Sequence, residues 1–181
     1  MFGRTAKTGC SVSQNILLLI TAGLTAGGMA LLLAAGVQDF ATRLVSNQLS
    51  LAIALCGAGL RWREGNFWLG LAAAFAVFFV AAFCWRRGWL GGGDVKLLGA
   101  AAFFVAPGQI PALLLATSLA GGVLALLYLA LAALPAPRPP RGPKANLPAR
   151  ILRAERWRIR RHGPLPYASA IAAGAVFTVF H

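Results

Sequence analysis

Two aspartates are the residues of this 181-residue chain that are best placed to do chemistry. The chain has only four acidic side chains, Asp39, Glu64, Asp94 and Glu155, against seventeen lysines and arginines. Asp39 follows a long apolar run, and Asp94 lies between two apolar runs in the segment GGGDVKL, residues 91–97. Ionisable groups at membrane depth are costly to keep, which makes these two carboxylates candidate functional groups.

A pair of carboxylates suggests acid–base hydrolysis. Two carboxylates within a few ångströms of each other cannot both ionise cheaply, so they tend to share one proton. One then acts as a general base on a water molecule, while its protonated partner polarises the carbonyl under attack, as in the soluble aspartic proteases. The three glycines before Asp94 suit a backbone that leaves helical geometry or lies close to a substrate.

Each aspartate also has a simpler interpretation when it is taken alone. Asp94 could be the N-cap of a helix, a position that aspartate often occupies. Asp39 could be a solvated turn residue paired with Arg43. The joint position of the two residues and the sequence around Asp94 favour the functional interpretation.

The elements that must position these residues are apolar helices. Hydrophobic residues make up 59% of the chain and charged residues 12%. A helix needs about 20 apolar residues to cross the hydrocarbon core of a membrane. Three apolar runs meet this length, Ile16–Val37, Phe67–Trp85 and Ile110–Leu134. Three shorter runs are Gln48–Leu60, Val95–Ala106 and Leu165–Phe180. The sequence predicts an all-α polytopic membrane protein of one domain, residues 1–181, with about six transmembrane helices.

The first run has two features of its own. Gly23 and Gly27 form a G-x-x-x-G spacing, which favours the close approach of another helix. A cleaved signal peptide is the alternative interpretation of this run. Its apolar length exceeds the 7–15 residues of a signal-peptide core, so we expect a helix that stays in the protein.

The net charge of +13 is carried by the connections between the runs. If the two aspartates and the Pro135–Pro164 segment face the cytoplasm, 13 of the 17 basic residues lie inside and 4 lie outside. This distribution follows the positive-inside rule, and the opposite orientation violates it. The sequence therefore predicts that Asp39 and Asp94 meet on the cytoplasmic side.

Residues 135–164 form a proline-rich basic loop with nine lysines and arginines. We expect it to lie against anionic phospholipid headgroups, which attract basic residues by about 1 kcal/mol each. The loop lacks an aromatic stacking platform, so no nucleic-acid partner is expected. Cys10, Cys56 and Cys84 form no C-x-x-C pair, which argues against a zinc site or a disulfide framework. No metal or other cofactor is expected.

Three segments resemble the type IV prepilin peptidases, a family of bacterial membrane aspartic proteases. GGGDVKLL (residues 91–98) is similar to the family signature G-x-G-D-x-K-L. DFATRLVSN (39–47) resembles the first segment, an aspartate followed by a basic residue and Ile/Val-Pro-Asn. GPLPYASAIAAG (163–174) resembles the final helix, which opens with Pro-Tyr. The three segments follow the family order and cover nearly the whole chain from Ile16.

The resemblance implies a six-helix fold in which Asp39 and Asp94 are the catalytic residues. It further implies that a prepilin or pseudopilin leader is cut after a glycine, on the cytoplasmic side of the bacterial inner membrane. Supporting or substrate-binding roles are expected for Gly91, Gly93, Lys96, Arg43 and Asn47.

Two departures from the family pattern refine these expectations. Ser46 stands where the family usually has proline, which puts the rigidity of that turn in question. The bifunctional members carry a four-cysteine domain linked to N-methylation, and this sequence lacks it. No methyltransferase activity is therefore expected, and the short form resembles the peptidase-only enzymes of Tad/Flp-type pilus systems.

Two other classes of function are compatible with a pair of membrane carboxylates. The first is a proton-coupled transporter that uses the aspartates as a relay, although the sequence shows no internal repeat of the kind common in transporters. The second is a non-catalytic scaffold for assembly of a pilus or secretion machine.

Overall fold

The computed structural model describes residues 5–42, 45–133 and 165–180, which contain six α-helices. The helices are α1 (Thr5–Thr42), α2 (Asn47–Arg63), α3 (Phe67–Arg86), α4 (Gly92–Phe104), α5 (Ile110–Ala133) and α6 (Tyr167–Phe180). A 3-10 turn, Pro107–Gln109, precedes α5. The described residues contain no strand, so the predicted all-α fold is confirmed.

Each predicted apolar run corresponds to one of the helices. Three segments are long and apolar enough to cross a membrane, Gln14–Thr42, Phe67–Arg86 and Pro107–Ala133. Helices α2, α4 and α6 have 17, 13 and 14 residues, respectively. At 1.5 Å per residue they reach only about 20–26 Å, so a membrane around them must be thinner than usual or use their flanks.

The first two apolar runs, Ile16–Val37 and Gln48–Leu60, leave ten residues for a turn, but helix extends into this stretch from both sides. Helix α1 continues to Thr42, whose hydroxyl donates a 2.8 Å hydrogen bond to the Gln38 carbonyl. Helix α2 then begins at Asn47, and the Ser46 hydroxyl caps it by accepting a 3.3 Å hydrogen bond from the Gln48 N–H. The serine that replaces the family's proline therefore serves as an N-cap.

Helix α4 lies at the centre of the bundle and packs against α2, α3 and α6. Its residues from Leu97 to Phe104 are all buried, as expected of a helix that is apolar on every side. At its C-terminal end, the Phe104 carbonyl accepts a 3.5 Å hydrogen bond from Arg61. Arg61 is itself buried and pairs with Glu64 at 2.7 Å.

Glycines let the helices around α4 approach it closely, but these glycines are not those of the G-x-x-x-G spacing. A Cβ at Gly23 or Gly27 would meet no atom of the described residues within 4 Å, so these two glycines make no close helix contact in this part of the chain. A Cβ at the neighbouring Gly28 would overlap the buried ring of Phe104. On α2, a Cβ at Gly57 would lie 2.9 Å from the backbone of Phe103.

The outer surface of α3 matches the thickness of a membrane. Its two ends carry exposed tryptophans, Trp68 with 77% and Trp85 with 53% of the side chain exposed. The two tryptophans are 17 positions apart, or about 25 Å along the helix. Tryptophans prefer the two interfaces of a bilayer, so α3 has the anchors of a transmembrane helix.

Candidate active site

Asp94 lies in the first turn of α4, three residues after the N-cap Gly91. The N-cap interpretation of Asp94 is therefore wrong. The Gly91 N–H instead donates a hydrogen bond back to the Asp94 carboxylate, the arrangement of a capping box. The positive end of the helix dipole also favours a negative charge at this position.

The glycines before Asp94 act through close contact rather than through an unusual backbone. Gly91 is extended, with φ −76° and ψ 146°, whereas Gly92 and Gly93 are already helical. The expected departure from helical geometry is therefore wrong for the latter two residues. A Cβ on Gly91 would lie only 2.8 Å from Oδ2 of Asp94. Glycine at position 91 thus leaves the room that this carboxylate occupies.

Asp39 lies in the last turn of α1 with only 6% of its surface exposed. Its interpretation as a solvated turn residue is therefore wrong. The Ala168 N–H donates a 3.1 Å hydrogen bond to Oδ2 of Asp39. Ala168 is the second residue of α6, so the N-terminus of α6 stabilises a negative charge that the C-terminus of α1 disfavours.

The two carboxylates interact with each other. Burial and, next, the charge of Asp39 raise the pKa of Asp94 to about 6, although the Gly91 hydrogen bond acts in the opposite direction. Asp94 lies outside the three segments that are long enough to span a membrane. The C-terminus of α1 and the N-termini of α4 and α6 thus bring together two aspartates that are 55 positions apart in the sequence.

Tyr167 is a residue of this site that the sequence analysis did not single out. Burial, then the charges of Asp94 and Cys84, raises the pKa of its hydroxyl, which places the side chain beside Asp94. Its ring is accommodated by Gly121 of α5, where a Cβ would lie 2.8 Å from Cε2. The available signal was its place beside Pro166 at the start of the last apolar run.

A cavity of about 280 Å³ adjoins Tyr167 and is lined by residues of α3, α4 and α5. Its walls are mostly apolar and include Val80, Leu98 and Leu114. Leu98 is one helical turn from Asp94 and so lies on the same face of α4. The cavity is therefore beside the carboxylate pair and has room for an apolar side chain.

The other predicted site residues fall into separate places. Nζ of Lys96 donates a 2.9 Å hydrogen bond to Oδ1 of Asn47, which joins the N-termini of α4 and α2. Gly93 faces Val45, whose Cβ would lie 3.4 Å from an added Cβ. Arg43 lies outside the described residues.

These features define an α-helical membrane protein in which helix ends present a coupled pair of carboxylates. The model of the type IV leader peptidase family matches residues 26–126, more than half of the chain and the part that holds both aspartates. The chain belongs to the type IV leader peptidase family, whose members are aspartic-type proteases. No curated protein and no solved structure matches the chain. The family resemblance found in the sequence is confirmed.

Proposed function

We propose that this protein is an aspartic endopeptidase that removes prepilin leaders, with Asp39 and Asp94 as its catalytic pair. The observation that carries the proposal is the electrostatic coupling of these two residues, since it is the condition for sharing one proton. The family membership supports the general class of reaction.

The surroundings of the two carboxylates favour different roles for them. Asp94 has the raised pKa, and we assign the shared proton to it. Asp39 receives a hydrogen bond on Oδ2 from the Ala168 N–H. Asp39 is therefore the general base and Asp94 the general acid.

The reaction then proceeds in two steps, and the second step reverses the proton transfers that the first makes at the two aspartates. Asp39 takes a proton from water, the water oxygen bonds to the peptide carbonyl carbon, and Asp94 gives its proton to the carbonyl oxygen. A tetrahedral diol results. In the second step Asp39 returns its proton to the leaving nitrogen, while a diol hydroxyl gives its proton to Asp94 and the carbon–nitrogen bond breaks. The products are a carboxylic acid and an amine, and the pair recovers its starting state.

The substrate and the side of the membrane belong to the same proposal. A prepilin or pseudopilin of a Tad/Flp-type system would be cut after a glycine, with the active site facing the cytoplasm of a bacterial inner membrane. The positive-inside count supports this orientation, and the apolar cavity beside Tyr167 suits a hydrophobic residue next to the cut bond. The chain acts as a single peptidase domain without methyltransferase activity. Its basic loop, residues 135–164, lies outside the described residues.

Cleavage of a full-length prepilin by the purified protein in lipid nanodiscs tests the proposal. Asp39→Asn and Asp94→Asn should each lower kcat/KM by roughly 10²–10⁴-fold, because each removes an acid–base group. Glu155→Gln is the matched control, since it removes an acid that lies in none of the three segments resembling the family and should leave cleavage unchanged. Size-exclusion chromatography checks that each variant is folded.

Cleavage at the wild-type rate by either aspartate variant would overturn the assignment of the pair. Proton-coupled uptake into proteoliposomes by a wild-type protein that never cleaves prepilin would favour the relay function instead. Binding of pilus components that survives the loss of both aspartates, without any cleavage, would favour a scaffold.

A further inference from the structure

An apolar groove lies on the side of α4 that faces away from the carboxylate pair. Residues of helices α2, α3 and α4 line the groove, and its volume is about 360 Å³. The side chain of Lys96 lines the groove. Lys96 is two residues after Asp94, so the two side chains are about 200° apart around the axis of α4. The groove is therefore a different site from the cavity beside Tyr167.

The groove has a cationic mouth. Lys96 and Asn47 lie at this end and are hydrogen-bonded to each other at 2.9 Å. Because the Asn47 amide is neutral, this contact leaves the charge of the ammonium group uncompensated by any acidic residue that the structure describes. Glu64 is paired with Arg61 at the opposite end of α2, and Asp94 lies on the opposite face of α4. An anionic ligand would supply the missing charge.

Ser50 adds an independent indication of a polar ligand. It lines the groove one helical turn after Asn47, and only 7% of its surface is exposed. Its buried hydroxyl has no hydrogen-bond partner among the residues that the structure describes. Burying a hydroxyl without a partner costs free energy, so a rotation of the Ser50 side chain towards a ligand atom that accepts its hydrogen bond would be favoured.

Beyond Ser50 the groove is apolar. Its walls are formed by Leu51 and Ala54 of α2, by Phe75 of α3 and by Phe103 of α4. From Lys96 to Phe103 the groove follows α4 for seven residues, or about 10 Å. A cation, then a hydroxyl, then an apolar channel is the order in which a phospholipid presents its phosphate, ester carbonyl and acyl chain.

We propose that this groove binds one anionic phospholipid. Its phosphate would contact Lys96 and Asn47, its ester carbonyl would accept the Ser50 hydroxyl, and an acyl chain would lie along Leu51 and Phe75. The lipid would hold together the N-termini of α2 and α4, the second of which carries Asp94. This inference goes beyond the proposed peptidase activity and does not depend on it.

Because the groove and the carboxylate pair lie on opposite faces of α4, the groove suits a lipid better than a substrate helix. A helix seated in the groove would contact Lys96 and Phe103, whereas the carboxylate pair lies on the far side of α4. It could not present its cut site to Asp94. A phospholipid has no such requirement, and its charge complements the mouth.

Native mass spectrometry of the detergent-purified, full-length protein tests the site. The protein is titrated with phosphatidylglycerol and, separately, with phosphatidylcholine of the same acyl chains; glycerol phosphate serves as the headgroup alone. We expect preferential retention of one phosphatidylglycerol per chain and no retention of glycerol phosphate. Lys96→Met should weaken phosphatidylglycerol binding about fivefold, the effect of one basic residue near anionic lipid. Arg63→Met is the matched control, since it removes an exposed cation at the other end of α2.

The apolar part is tested by Ala54→Trp, which fills the groove and should abolish retention of both lipids. Equal retention of the two lipids by the wild type, or an equal effect of Lys96→Met and Arg63→Met, would overturn the proposal even if Ala54→Trp fails to fold. A folded Ala54→Trp variant that keeps its lipid but has a raised KM for prepilin would assign the groove to substrate. A dimer that this variant dissociates, without lipid discrimination, would assign it to a second copy. Either result overturns the proposal.

Discussion

Asp39 and Asp94 have identical side chains but different surroundings. Asp94 is beside the N-cap of its own helix, while Asp39 is at the C-terminal end of α1 and depends on the N-terminus of α6 for a hydrogen-bond donor. The pKa of Asp94 is raised because burial and the charge of Asp39 outweigh the Gly91 hydrogen bond. The acid role assigned to Asp94 thus follows from its burial and from the neighbouring charge of Asp39, not from the residue type.

Gly91→Ala tests how closely the Asp94 carboxylate depends on its surroundings. The added Cβ would lie 2.8 Å from Oδ2, so the carboxylate must move away from its position. We expect kcat/KM for prepilin cleavage to fall by roughly 10–100-fold, since displacing a catalytic group by about 1 Å has an effect of that size.

Gly92→Ala, at the variable position of the signature, is the matched control in the same turn. Its Cβ would make an ordinary 3.4 Å contact with Nε1 of Trp85, and alanine is a better helix former than glycine. This variant should keep most of its activity and its thermal stability. Equal losses in the two variants would show that any side chain in the glycine stretch is harmful, whatever it does to Asp94.

The sequence predicts the two aspartates well but not their partners. Acidic residues are so scarce in this chain that Asp39 and Asp94 stand out, and the surrounding motifs strengthen the prediction. The donors are the backbone N–H groups of Gly91 and Ala168, and a backbone group has no residue-type signature. The contact between Lys96 and Asn47 depends on the packing of α2 against α4, which the motif does not encode by itself.

Among the elements, α4 has the greatest influence on the site. It is short and buried from Leu97 to Phe104, and its two ends are held by polar contacts, Lys96 with Asn47 at one and Arg61 with Phe104 at the other. Its position along its own axis is therefore determined at both ends. A displacement of α4 would move Asp94 relative to Asp39, which is on α1.

Gly28→Ala tests the packing of α1 on this central helix. The new Cβ would overlap the Phe104 ring, which is only 2% exposed and has no room to move. We expect the free energy of unfolding to fall by about 1–3 kcal/mol, as in other overpacked cores. Thermal unfolding in detergent measures the change.

The neighbouring Gly27→Ala provides the control, because its Cβ would point into open space. Stability should stay the same or rise by up to about 1 kcal/mol, the helix-propensity difference between the two residues. If Gly27→Ala destabilised the protein as much as Gly28→Ala, the packing of α1 on α4 described above would be contradicted.

The elements were more predictable than their boundaries and contacts. Apolar runs of helical length predict six helices in the correct order. The sequence predicts too long a turn after α1. The polar residues Gln38, Asp39 and Thr42 interrupt the apolar run, although they belong to a helix whose Asp39 is buried against α6. The G-x-x-x-G spacing indicated Gly23 and Gly27, although the close contact is made by Gly28, since a repeat of small residues does not determine which face meets a neighbour.

At the scale of the whole molecule, the polar groups separate to the two ends of the bundle. The carboxylate pair, Lys96 and Trp89 lie near one end, whereas Arg61, Glu64 and Trp62 lie near the other. The aromatic residues at both ends and the apolar surface between them define a membrane-embedded body. Its orientation follows from the positive-inside distribution of the loops and stays a prediction.

Cysteine labelling in intact cells tests this orientation with two matched tryptophans. Trp62 is 74% exposed and Trp89 is 71% exposed, and neither substitution changes the charge that determines orientation. In a background where Cys10, Cys56 and Cys84 are replaced by serine, Trp62→Cys should react with a membrane-impermeant maleimide from outside. Trp89→Cys should react only after lysis. The reverse pattern would place the carboxylate pair on the outer side and contradict the cytoplasmic assignment.

The central claim, that Asp39 and Asp94 form one coupled titrating pair, is tested most directly by NMR of the carboxyl carbons in a protein labelled at aspartate. Because the chain has only two aspartates, the spectrum contains two signals, which Asp39→Asn and Asp94→Asn assign. We predict that Asp94 titrates at about pH 6 and that Asp39→Asn moves its titration to lower pH, because the repulsion from Asp39 is removed. An Asp94 signal that titrates at the ordinary aspartate pH, or that Asp39→Asn leaves unchanged, would contradict the account.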